Sequence, residues 1–210
     1  AATVRGDAYM NRQYLDPVFK GSHPPELKDI YGEGWVDPPP ADYALTGEKI
    51  DFLGINYYSR GLTVDDPAAW PVRIRTIKNP TATYTETGWE VVPAAFTDLL
   101  VRVAREYGNP PVYITENGSA FYDPLVASGG RIEDPLRKAY LESHLAAVHA
   151  AIEQGADIRG YFVWSLLDNL EWAHGYSKRF GIVHVNYDTQ ERTPKASAHY
   201  YRQVIADNAV

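Results

Sequence analysis

The sequence contains no cysteine, and no apolar run in it is long enough to cross a membrane. Without cysteine the chain forms neither disulfides nor thiolate metal sites, which fits a reducing compartment, and we expect a cytoplasmic protein with no membrane partner. Lys and Arg are interspersed with acidic residues rather than gathered in blocks, and the formal net charge is −7. This charge pattern argues against a nucleic-acid partner.

No glycine-rich phosphate-binding motif follows any predicted strand, which counts against a dinucleotide-binding fold. The sequence does contain ample core material, with 45% hydrophobic and 13% aromatic residues in a length of 210. That is enough for one sizeable domain. The first residue is alanine and the residues after it are helix-like at once, so we expect the chain to begin partway through a longer protein.

Three units of a strand followed by a helix are predicted along the chain. The strands are short β-branched or aromatic runs, and the helices have apolar residues at helical spacing. This alternation predicts an α/β fold with a parallel sheet, either doubly wound or a (β/α)₈ barrel. The predicted elements are an incomplete helix near 7–19, strand 50–57 with helix 92–107, strand 111–116 with helix 134–154, and strand 158–165 with a hairpin around 180–187 and a closing helix near 194–206. We interpret 31–43 and 59–91 as functional loops.

The run PPVYITENG at 110–118 places the carboxylate of Glu116 at the end of a short apolar strand. Asn117 and Gly118 follow it as a turn signal. Functional side chains of parallel α/β folds lie at this end of the strands. A solvated loop acid is the ordinary interpretation of such a residue, and a catalytic nucleophile is the alternative.

Each predicted strand ends in a cluster of polar and aromatic residues. Because the carboxyl ends of parallel strands meet at one edge of a sheet, we expect the clusters to share one rim. Sugars stack their C–H faces on aromatic rings and bond their hydroxyls to carboxylates and amides, whereas phosphate recognition calls for Arg and Lys. The clusters are Asn56-Tyr57-Tyr58, Thr115-Glu116-Asn117 and the run from Trp164 to Trp172.

The sequence also contains six longer motifs: YLDPVFKGSHP, DFLGINYYSR, GWEVVPAAFTDLL, VYITENG, YFVWSLLDNLEWAHGYSKRFGIVHV and RTPKASAHYY. Through them nearly all 210 residues resemble the C-terminal part of the family 1 glycoside hydrolases, retaining enzymes of the β-glucosidase type on a (β/α)₈ TIM barrel. The resemblance implies that residues 1–210 supply strands six to eight of a single catalytic domain, with their helices. On its own this part would be an incomplete barrel with two open edges.

Carried over residue by residue, the resemblance makes Glu116 the catalytic nucleophile, which attacks the anomeric carbon and forms a glycosyl-enzyme intermediate. The Tyr58 hydroxyl would hydrogen-bond to this carboxylate and orient it. Asn56 would line the same pocket. For Tyr57 ordinary strand packing is the favoured interpretation.

The resemblance also implies a sugar-binding loop. Trp164 would be the platform for the glycone ring, Glu171 would accept its hydroxyls at C4 and C6, and Trp172 would donate to a neighbouring hydroxyl. Phe180 would wall off the C6 side, and Trp89 would lie on the aglycone side. A tryptophan taken alone is more often a core residue, but the spacing of these residues on a single loop favours a sugar site.

Other residues of the same region are interpreted as structural. Asp168 and Asn169 are expected to stabilise the loop. His174, His184 and His199 lack the spacing of metal ligands, so we expect no metal site. Nothing in the resemblance implies a cofactor.

Glu171 also bears on the substrate. In the 6-phospho-β-glycosidase branch of the family this acid is replaced, and Phe180 stands where that branch typically has tyrosine. An acid here would repel a phosphate. We therefore expect an unphosphorylated β-D-glycoside, with glucose, fucose or galactose as the glycone.

Retaining hydrolysis needs a second carboxyl about 5 Å from the nucleophile. The resemblance places this acid/base in a T-x-N-E-P motif, and no N-E-P occurs in the sequence. We therefore expect the chain to be inactive alone and to need the N-terminal portion of the same enzyme as a partner. Two alternatives stay open: a non-catalytic sugar-binding module, which would have no need of an ionised Glu116, and a structural half-barrel.

Overall fold

The structure is built from helices and short strands. A computed structural model describes residues 1–123 and 131–210. These residues form two compact units, unit 1 from Ala1–Asp51 and Gly61–Pro80, and unit 2 from Phe52–Arg60 and Thr81–Val210. The helices are α1 (Ala2–Asp7), α2 (Gln13–Lys20), α3 (Glu26–Tyr31), α4 (Pro40–Thr46), α5 (Pro93–Glu106), α6 (Pro135–Glu153) and α7 (Ala196–Asp207), and the strands are β1 (Leu53–Asn56), β2 (Leu62–Asp65), β3 (Ile74–Ile77), β4 (Val112–Asn117), β5 (Ile158–Val163), β6 (Val183–Val185) and β7 (Arg192–Pro194).

Unit 1 is mainly helical. A π-helical turn, Ala8–Arg12, joins α1 to α2, and Gly21 ends α2 with a left-handed backbone that suits glycine (φ 64°). The helix predicted near 7–19 is therefore present, but it begins earlier, in α1. The core of the unit gathers residues of these helices, of α3 and of the β2–β3 hairpin: Ala8, Leu27, Ile30 and Val72, with Tyr9, Tyr31, Trp35 and Ile74 packed around them.

The expectation of loops at 31–43 and 59–91 is wrong in part, because both stretches contain regular structure. Strands β2 and β3 pair antiparallel, with Leu62 opposite Ile77. A single helical turn, Gly32–Gly34, and the start of α4 lie within 31–43. Elements of three to seven residues are too short to show a clear hydrophobic period, so the sequence pattern does not reveal them.

Unit 2 contains the predicted parallel sheet. Its strands lie in the order β1–β4–β5 and all run parallel. Helix α5 connects β1 to β4, helix α6 connects β4 to β5, and the two helices pack against each other. This is the strand–helix–strand pattern expected of parallel sheets. Apolar side chains on one face of the sheet and on the two helices form the core: Phe96, Leu100, Val103, Val112, Ile114, Tyr140, Leu141 and Val148.

The other face of the sheet is open. On β5 the ring of Tyr161 lies 6.1 Å from that of Tyr201 on α7, so strand alternation turns Phe162 to the opposite face. There Phe162 is 58% exposed. In the described part of the chain the parallel sheet has three strands, and β1 and β5 each keep a free edge. Free edges and an exposed aromatic side chain are typical of an incomplete sheet.

The C-terminal end of unit 2 differs in detail from the prediction. Strand β6 lies within the range 180–187 expected for a hairpin, but its antiparallel partner is β7, so the turn falls later. Asn186 makes that turn, since its Oδ1 accepts from the backbone N–H groups of Asp188 and Thr189 at 3.0 and 3.2 Å. The closing helix accordingly starts at Ala196. None of the described helices has the length and apolar character needed to cross a membrane.

Candidate active site at the carboxyl edge of the sheet

Glu116 lies near the carboxyl end of β4, paired with Asn56 at the end of β1. The register between β4 and β5 shifts between Ile114 and Asn117, which are both buried. A shift of this kind turns two successive side chains toward the same face of a strand. Glu116 is therefore half-buried at the open edge of the sheet instead of being buried against the helices.

The Tyr58 hydroxyl donates a hydrogen bond of 2.6 Å to Oε2 of Glu116. Burial, and then the bond to Glu116, raises the pKa of the Tyr58 phenol well above its usual range, so the phenol stays protonated and remains a donor. No described residue donates to Oε1, the other oxygen of this carboxylate. One oxygen is held in place and the other keeps its lone pairs available, an arrangement that suits a nucleophile.

The two residues before Tyr58 lie in different surroundings. Asn56 is exposed at the sheet edge, and its Oδ1 accepts a hydrogen bond of 2.6 Å from the Thr115 hydroxyl. Tyr57 is 6% exposed, and its ring stacks on Phe96 with the centroids 4.2 Å apart. Tyr57 is thus a core residue, as predicted, while Asn56 stays at the edge where a ligand would bind.

A buried polar layer fixes the backbone around the candidate nucleophile. The Asn117 amide donates to the Tyr57 carbonyl at 2.6 Å and to the Tyr140 hydroxyl at 3.1 Å. Its Oδ1 accepts from the Tyr161 hydroxyl at 2.5 Å. The Tyr140 hydroxyl in turn donates to the Tyr58 carbonyl at 3.1 Å. Sequence pattern suggests only a turn at Asn117, because its partners come from three separate elements.

Three aromatic rings lie together next to Glu116. The Tyr58 ring centroid is 5.0 Å from that of Trp89 and 6.2 Å from that of Phe180, and the last two are 6.0 Å apart. Phe180 is 2% exposed, so it packs within this group and has little surface left for a ligand. Trp89 is only partly buried. The part of a sugar that Trp89 or Phe180 would contact remains a prediction.

An ion pair holds the turn that carries Trp89. Arg60 donates from Nε and Nη2 to the two carboxylate oxygens of Glu90, both at 2.9 Å, and Glu90 is 7% exposed. The Ser59 hydroxyl donates to the Glu90 carbonyl at 2.9 Å. A bidentate pair of this kind fixes orientation as well as distance. It therefore anchors the turn to the residues that follow β1.

Residues 164–182, which we term the rim loop, follow β5. The loop starts at a cis peptide bond between Trp164 and Ser165. The Trp164 indole N–H donates to Oε2 of Glu171 at 3.4 Å, so two of the predicted sugar-binding residues lie together. The charge of Glu171 also contributes to the raised pKa of Tyr58, which puts this carboxylate near the hydrogen bond between Tyr58 and Glu116. Trp172 is 87% exposed and open to a ligand.

The rim loop touches residues 116–123, which we term the Glu116 segment. The backbone N–H of Trp164 donates to the Asn117 carbonyl at 2.9 Å. A Cβ added at Gly118 would lie 1.8 Å from the Trp164 carbonyl oxygen, so no larger residue fits there. The predicted glycone platform is therefore packed directly against the backbone that presents Glu116.

Asp168 and Asn169 stabilise the rim loop, as predicted. The Asn169 amide donates to the Ser165 hydroxyl and to the Leu167 carbonyl, both at 3.0 Å. The Asp168 carboxylate accepts from the Gly181 backbone N–H at 3.0 Å and thus closes the loop on itself. Buried side-chain partners at both ends of a loop are what hold an irregular segment in one conformation.

One group among the described residues has the geometry to hold a metal ion: the ligand atoms of Asp123, Asp168 and His184 lie within 4.8 Å of one another. Lys195 Nζ already donates to Oδ2 of Asp123 at 2.5 Å and to Oδ1 of Asp168 at 3.0 Å. Its ammonium group supplies the positive charge between these carboxylates. A metal ion is therefore not needed to balance them.

Comparison with known proteins shows which proteins this chain resembles. The model of glycosyl hydrolase family 1 matches residues 1–210. Beta-glucosidase A of Thermotoga maritima is 43% identical over 197 residues, 94% of this chain and 44% of that protein. A bifunctional beta-D-glucosidase/beta-D-fucosidase of Bifidobacterium breve is 42% identical over 226 residues, 99% of this chain and 49% of that protein.

A solved structure of a beta-glucosidase is also similar to this chain. The Thermotoga maritima beta-glucosidase in complex with deoxynojirimycin matches with a TM-score of 0.91 at 42% identity, covering 99% of this chain and 46% of that one. The chain thus spans about half the length of the relatives it matches.

Proposed function

Since this chain belongs to glycosyl hydrolase family 1, we propose that it is the nucleophile-bearing portion of a retaining β-glucosidase, which hydrolyses terminal β-D-glycosides. The family is a TIM-barrel family, and the described residues form part of such a fold. We assign the strands β1, β4 and β5 to barrel strands six, seven and eight. The observation that carries the proposal is the 2.6 Å hydrogen bond from Tyr58 to Glu116 at the open edge of the sheet.

Each site residue has a role in the proposed reaction. Oε1 of Glu116 attacks the anomeric carbon and the leaving oxygen departs, which gives a covalent glycosyl-enzyme that water then hydrolyses. Tyr58 holds the other carboxylate oxygen and keeps the attacking one directed at the sugar. Glu171 and Trp172 bind glycone hydroxyls, and the ring lies on Trp164. The hydrogen bond between Trp164 and Glu171, and the contribution of the Glu171 charge to the raised pKa of Tyr58, support this division of roles.

The proton donor for the leaving oxygen comes, in this proposal, from residues beyond these 210. Retention needs a second carboxyl about 5 Å from the nucleophile. Neither Glu90 nor Asp123 supplies it, because Glu90 is buried in its pair with Arg60 and Asp123 is buried against Lys195. We use the term assembled enzyme for this chain together with the portion that contributes the acid/base.

The substrate is proposed to be an unphosphorylated β-glycoside. The relatives with the names beta-glucosidase and beta-D-glucosidase/beta-D-fucosidase support glucose or fucose as the glycone. The rim loop supports the same choice, because Glu171 is a hydroxyl acceptor that repels phosphate. An exposed indole at Trp172 adds a donor and a face for a sugar.

Hydrolysis of an aryl β-glucoside, followed by NMR, tests this function. The assembled enzyme should release the β-anomer of glucose first, because two displacements at the anomeric carbon retain its configuration. The 210-residue chain alone should release no aryl alcohol above background. Full activity of the chain alone would remove the need for an outside acid/base, and release of the α-anomer first would contradict the role of Glu116.

A further inference from the structure

Two cations of unit 2 are completely buried. Arg137 on α6 and Lys195, just before α7, are both 0% exposed, which is rare for either residue type. Three carboxylates surround them, those of Asp123, Asp134 and Asp168, and they are 4%, 3% and 4% exposed. None of these five residues contains an atom that the proposed reaction uses. Their burial needs an explanation of its own.

Lys195 joins two segments that are distant in sequence. Its ammonium donates at 2.5 Å to Asp123, which belongs to the Glu116 segment, and at 3.0 Å to Asp168, which belongs to the rim loop. Its backbone N–H donates to the Ile182 carbonyl at the end of the same loop at 2.9 Å. One side chain thus bonds the two parts of the proposed active site to each other.

Arg137 makes the same connection from α6. It donates at 3.1 Å to the Phe121 carbonyl in the Glu116 segment and at 2.8 Å to the Arg179 carbonyl in the rim loop. Its Nη1 donates to Asp123 at 2.6 Å and to Asp134 at 2.7 Å. The guanidinium therefore bridges the two segments through their main chains, beside the ammonium that bridges them through carboxylates.

Asp168 transmits this connection to the rest of the rim loop. Besides Lys195 it accepts from Arg179 Nη1 at 2.6 Å, from the Gly181 N–H at 3.0 Å and from the Val185 N–H at 3.3 Å. A Cβ added at Gly181 would lie 2.1 Å from the Asp168 backbone nitrogen, so the loop closes tightly on this residue. A shift of Asp168 would therefore move the loop on which the glycone contacts lie.

Overall stability does not by itself account for so many buried charges. Replacing a buried ion pair by apolar side chains of similar size is often neutral or stabilising. Charge-assisted hydrogen bonds, however, are short and directional, whereas apolar contacts are not. Bonds of this kind that cross from one segment to another hold the two at a set distance.

We propose that Lys195 and Arg137 are positioning residues that lock the rim loop onto the Glu116 segment, and so fix the spacing between the sugar platform and the nucleophile. The catalytic consequence rests on the proposed function, while the locking of the loop does not. Neither cation contacts the substrate; both act through the segments that they join.

Three variants of the assembled enzyme separate positioning from general stability. Lys195→Met removes the ammonium and leaves Asp123 and Asp168 with one positive charge fewer. The double variant Asp123→Asn with Lys195→Met removes one charge of each sign, so it loses the bridge but keeps the local balance. Lys138→Met is the matched control, because Lys138 is partly exposed on α6, where its ammonium pairs with Glu142 of the same helix and lies over the ring of Tyr200.

Hydrogen exchange followed by mass spectrometry gives the structural readout. In both Lys195 variants we expect rim-loop amides to exchange about tenfold faster or more, since a lost charge-assisted bond lowers the local opening energy, while α5 amides stay within about twofold. The control should match the parent protein. Unchanged rim-loop exchange would overturn the proposal. So would an equal increase in α5, or unfolding of the balanced double variant, because either result would mean a role in overall stability only.

Binding of deoxynojirimycin and the kinetics of an aryl β-glucoside give the functional readout. We expect the dissociation constant and KM to rise about tenfold in the double variant, with kcat within about threefold, because Tyr58 and β4 still orient Glu116. Equal losses in kcat and in kcat/KM would contradict positioning of the sugar loop. If the parent protein bound no deoxynojirimycin and hydrolysed no glycoside, the proposed function would fail, and hydrogen exchange would still decide whether the cations lock the loop.

Discussion

Glu116 and the rim loop lie at the same edge of the sheet but are held there by different interactions. The carboxylate belongs to a central strand, and the ladder with β1, the Tyr58 hydroxyl and the polar layer at Asn117 determine its place. The rim loop has no ladder along most of its length and depends on buried charges centred on Asp168 and Lys195. The proposed nucleophile is thus placed by regular structure, and the proposed sugar-binding residues by long-range ion pairs.

This difference indicates which substitutions should displace each part of the site. A residue on a strand keeps its position as long as the sheet is folded, because many backbone hydrogen bonds together hold the strand. A loop held by a few buried charges moves when one of them is lost, since an unpaired buried charge is costly. Changes on the strand side should therefore alter the chemical step, and changes on the loop side should alter binding.

Removal of the nucleophile tests the strand side most severely. In the assembled enzyme Glu116→Ala should lower kcat for an aryl β-glucoside by about 10⁴-fold or more, because the proposed mechanism forms its covalent intermediate on this carboxylate. Steady-state kinetics measures this, and Glu133→Ala is the control, because Glu133 is an exposed acid before α6 whose ion-pair partner is the exposed Arg131. If kcat of Glu116→Ala stayed within tenfold of the parent value, Glu116 would not be the nucleophile, and this edge of the sheet would be a sugar-binding site only.

Protonation of His144 tests the buried layer around Asn117 and Tyr140. Its ring stacks on Tyr140 with the centroids 3.7 Å apart, and burial lowers the pKa of His144 to about 4 from its ordinary 6.5. Between these values the unfolded chain binds a proton that the folded chain excludes, so stability falls as the pH decreases from 6.5 to 4. The shift corresponds to about 3 kcal/mol.

The change His144→Phe should remove most of that dependence. Urea unfolding of the assembled enzyme at both pH values measures it, and the variant should lose about 3 kcal/mol less than the parent over this window. His149→Phe is the control, because His149 is exposed on the same helix, where it pairs with Glu153. An equal loss in parent and His144→Phe would mean that this histidine is not kept neutral by the core.

Loss of the Tyr58 hydroxyl sharpens the comparison on the strand side. Tyr58→Phe keeps the ring against Trp89 but removes the 2.6 Å donor to Glu116. A charge-assisted hydrogen bond of this kind corresponds to about tenfold to a hundredfold in kcat/KM. Most of the loss should be in kcat, and Tyr122→Phe, at an exposed tyrosine, should match the parent. A change confined to KM would mean that Tyr58 contributes to substrate binding and not to the chemical step.

The smallest expected effect is at the exposed end of the rim loop. Trp172→Phe keeps an aromatic face but loses the indole N–H. We expect the loss of this donor to raise KM about fivefold and to leave kcat nearly unchanged. The same change at Trp70, which is 81% exposed in unit 1, is the matched control. A fall in kcat without a change in KM would contradict the division between reactive strand and binding loop.

The elements that could be predicted from the sequence are those with a local pattern. The strand ending at Glu116 and helices α5 and α6 were predictable from β-branched runs and apolar spacing. The short hairpin β2–β3 was not, because four-residue strands show little periodicity. Strand β7 was not predictable either, because it has three residues and ends in a proline.

The residues of the site likewise fall into those that could be predicted from the sequence and those that could not. Glu116 and the aromatic residues of the rim loop stand out in the sequence through their neighbours along the chain. The roles of Asn117, Arg137 and Lys195 do not. The partners that join the side chains of Arg137 and Lys195 to the Glu116 segment and the rim loop are 14 to 72 residues away, and those of Asn117 lie in three separate parts of the chain. No local pattern marks a lysine that will be buried between two carboxylates. Such residues become visible only when the fold brings their partners together.

Trapping of the covalent intermediate tests the central claim most directly. The assembled enzyme would be incubated with an activated 2-deoxy-2-fluoro-β-glucoside, digested with a protease and sequenced by tandem mass spectrometry. We expect one fluoroglucosyl adduct, on the peptide that contains Glu116 and on that side chain, with activity lost in proportion to labelling. An adduct on Glu171 or on any other carboxylate, or full labelling of the Glu116→Ala variant, would contradict the assignment of Glu116 as the nucleophile.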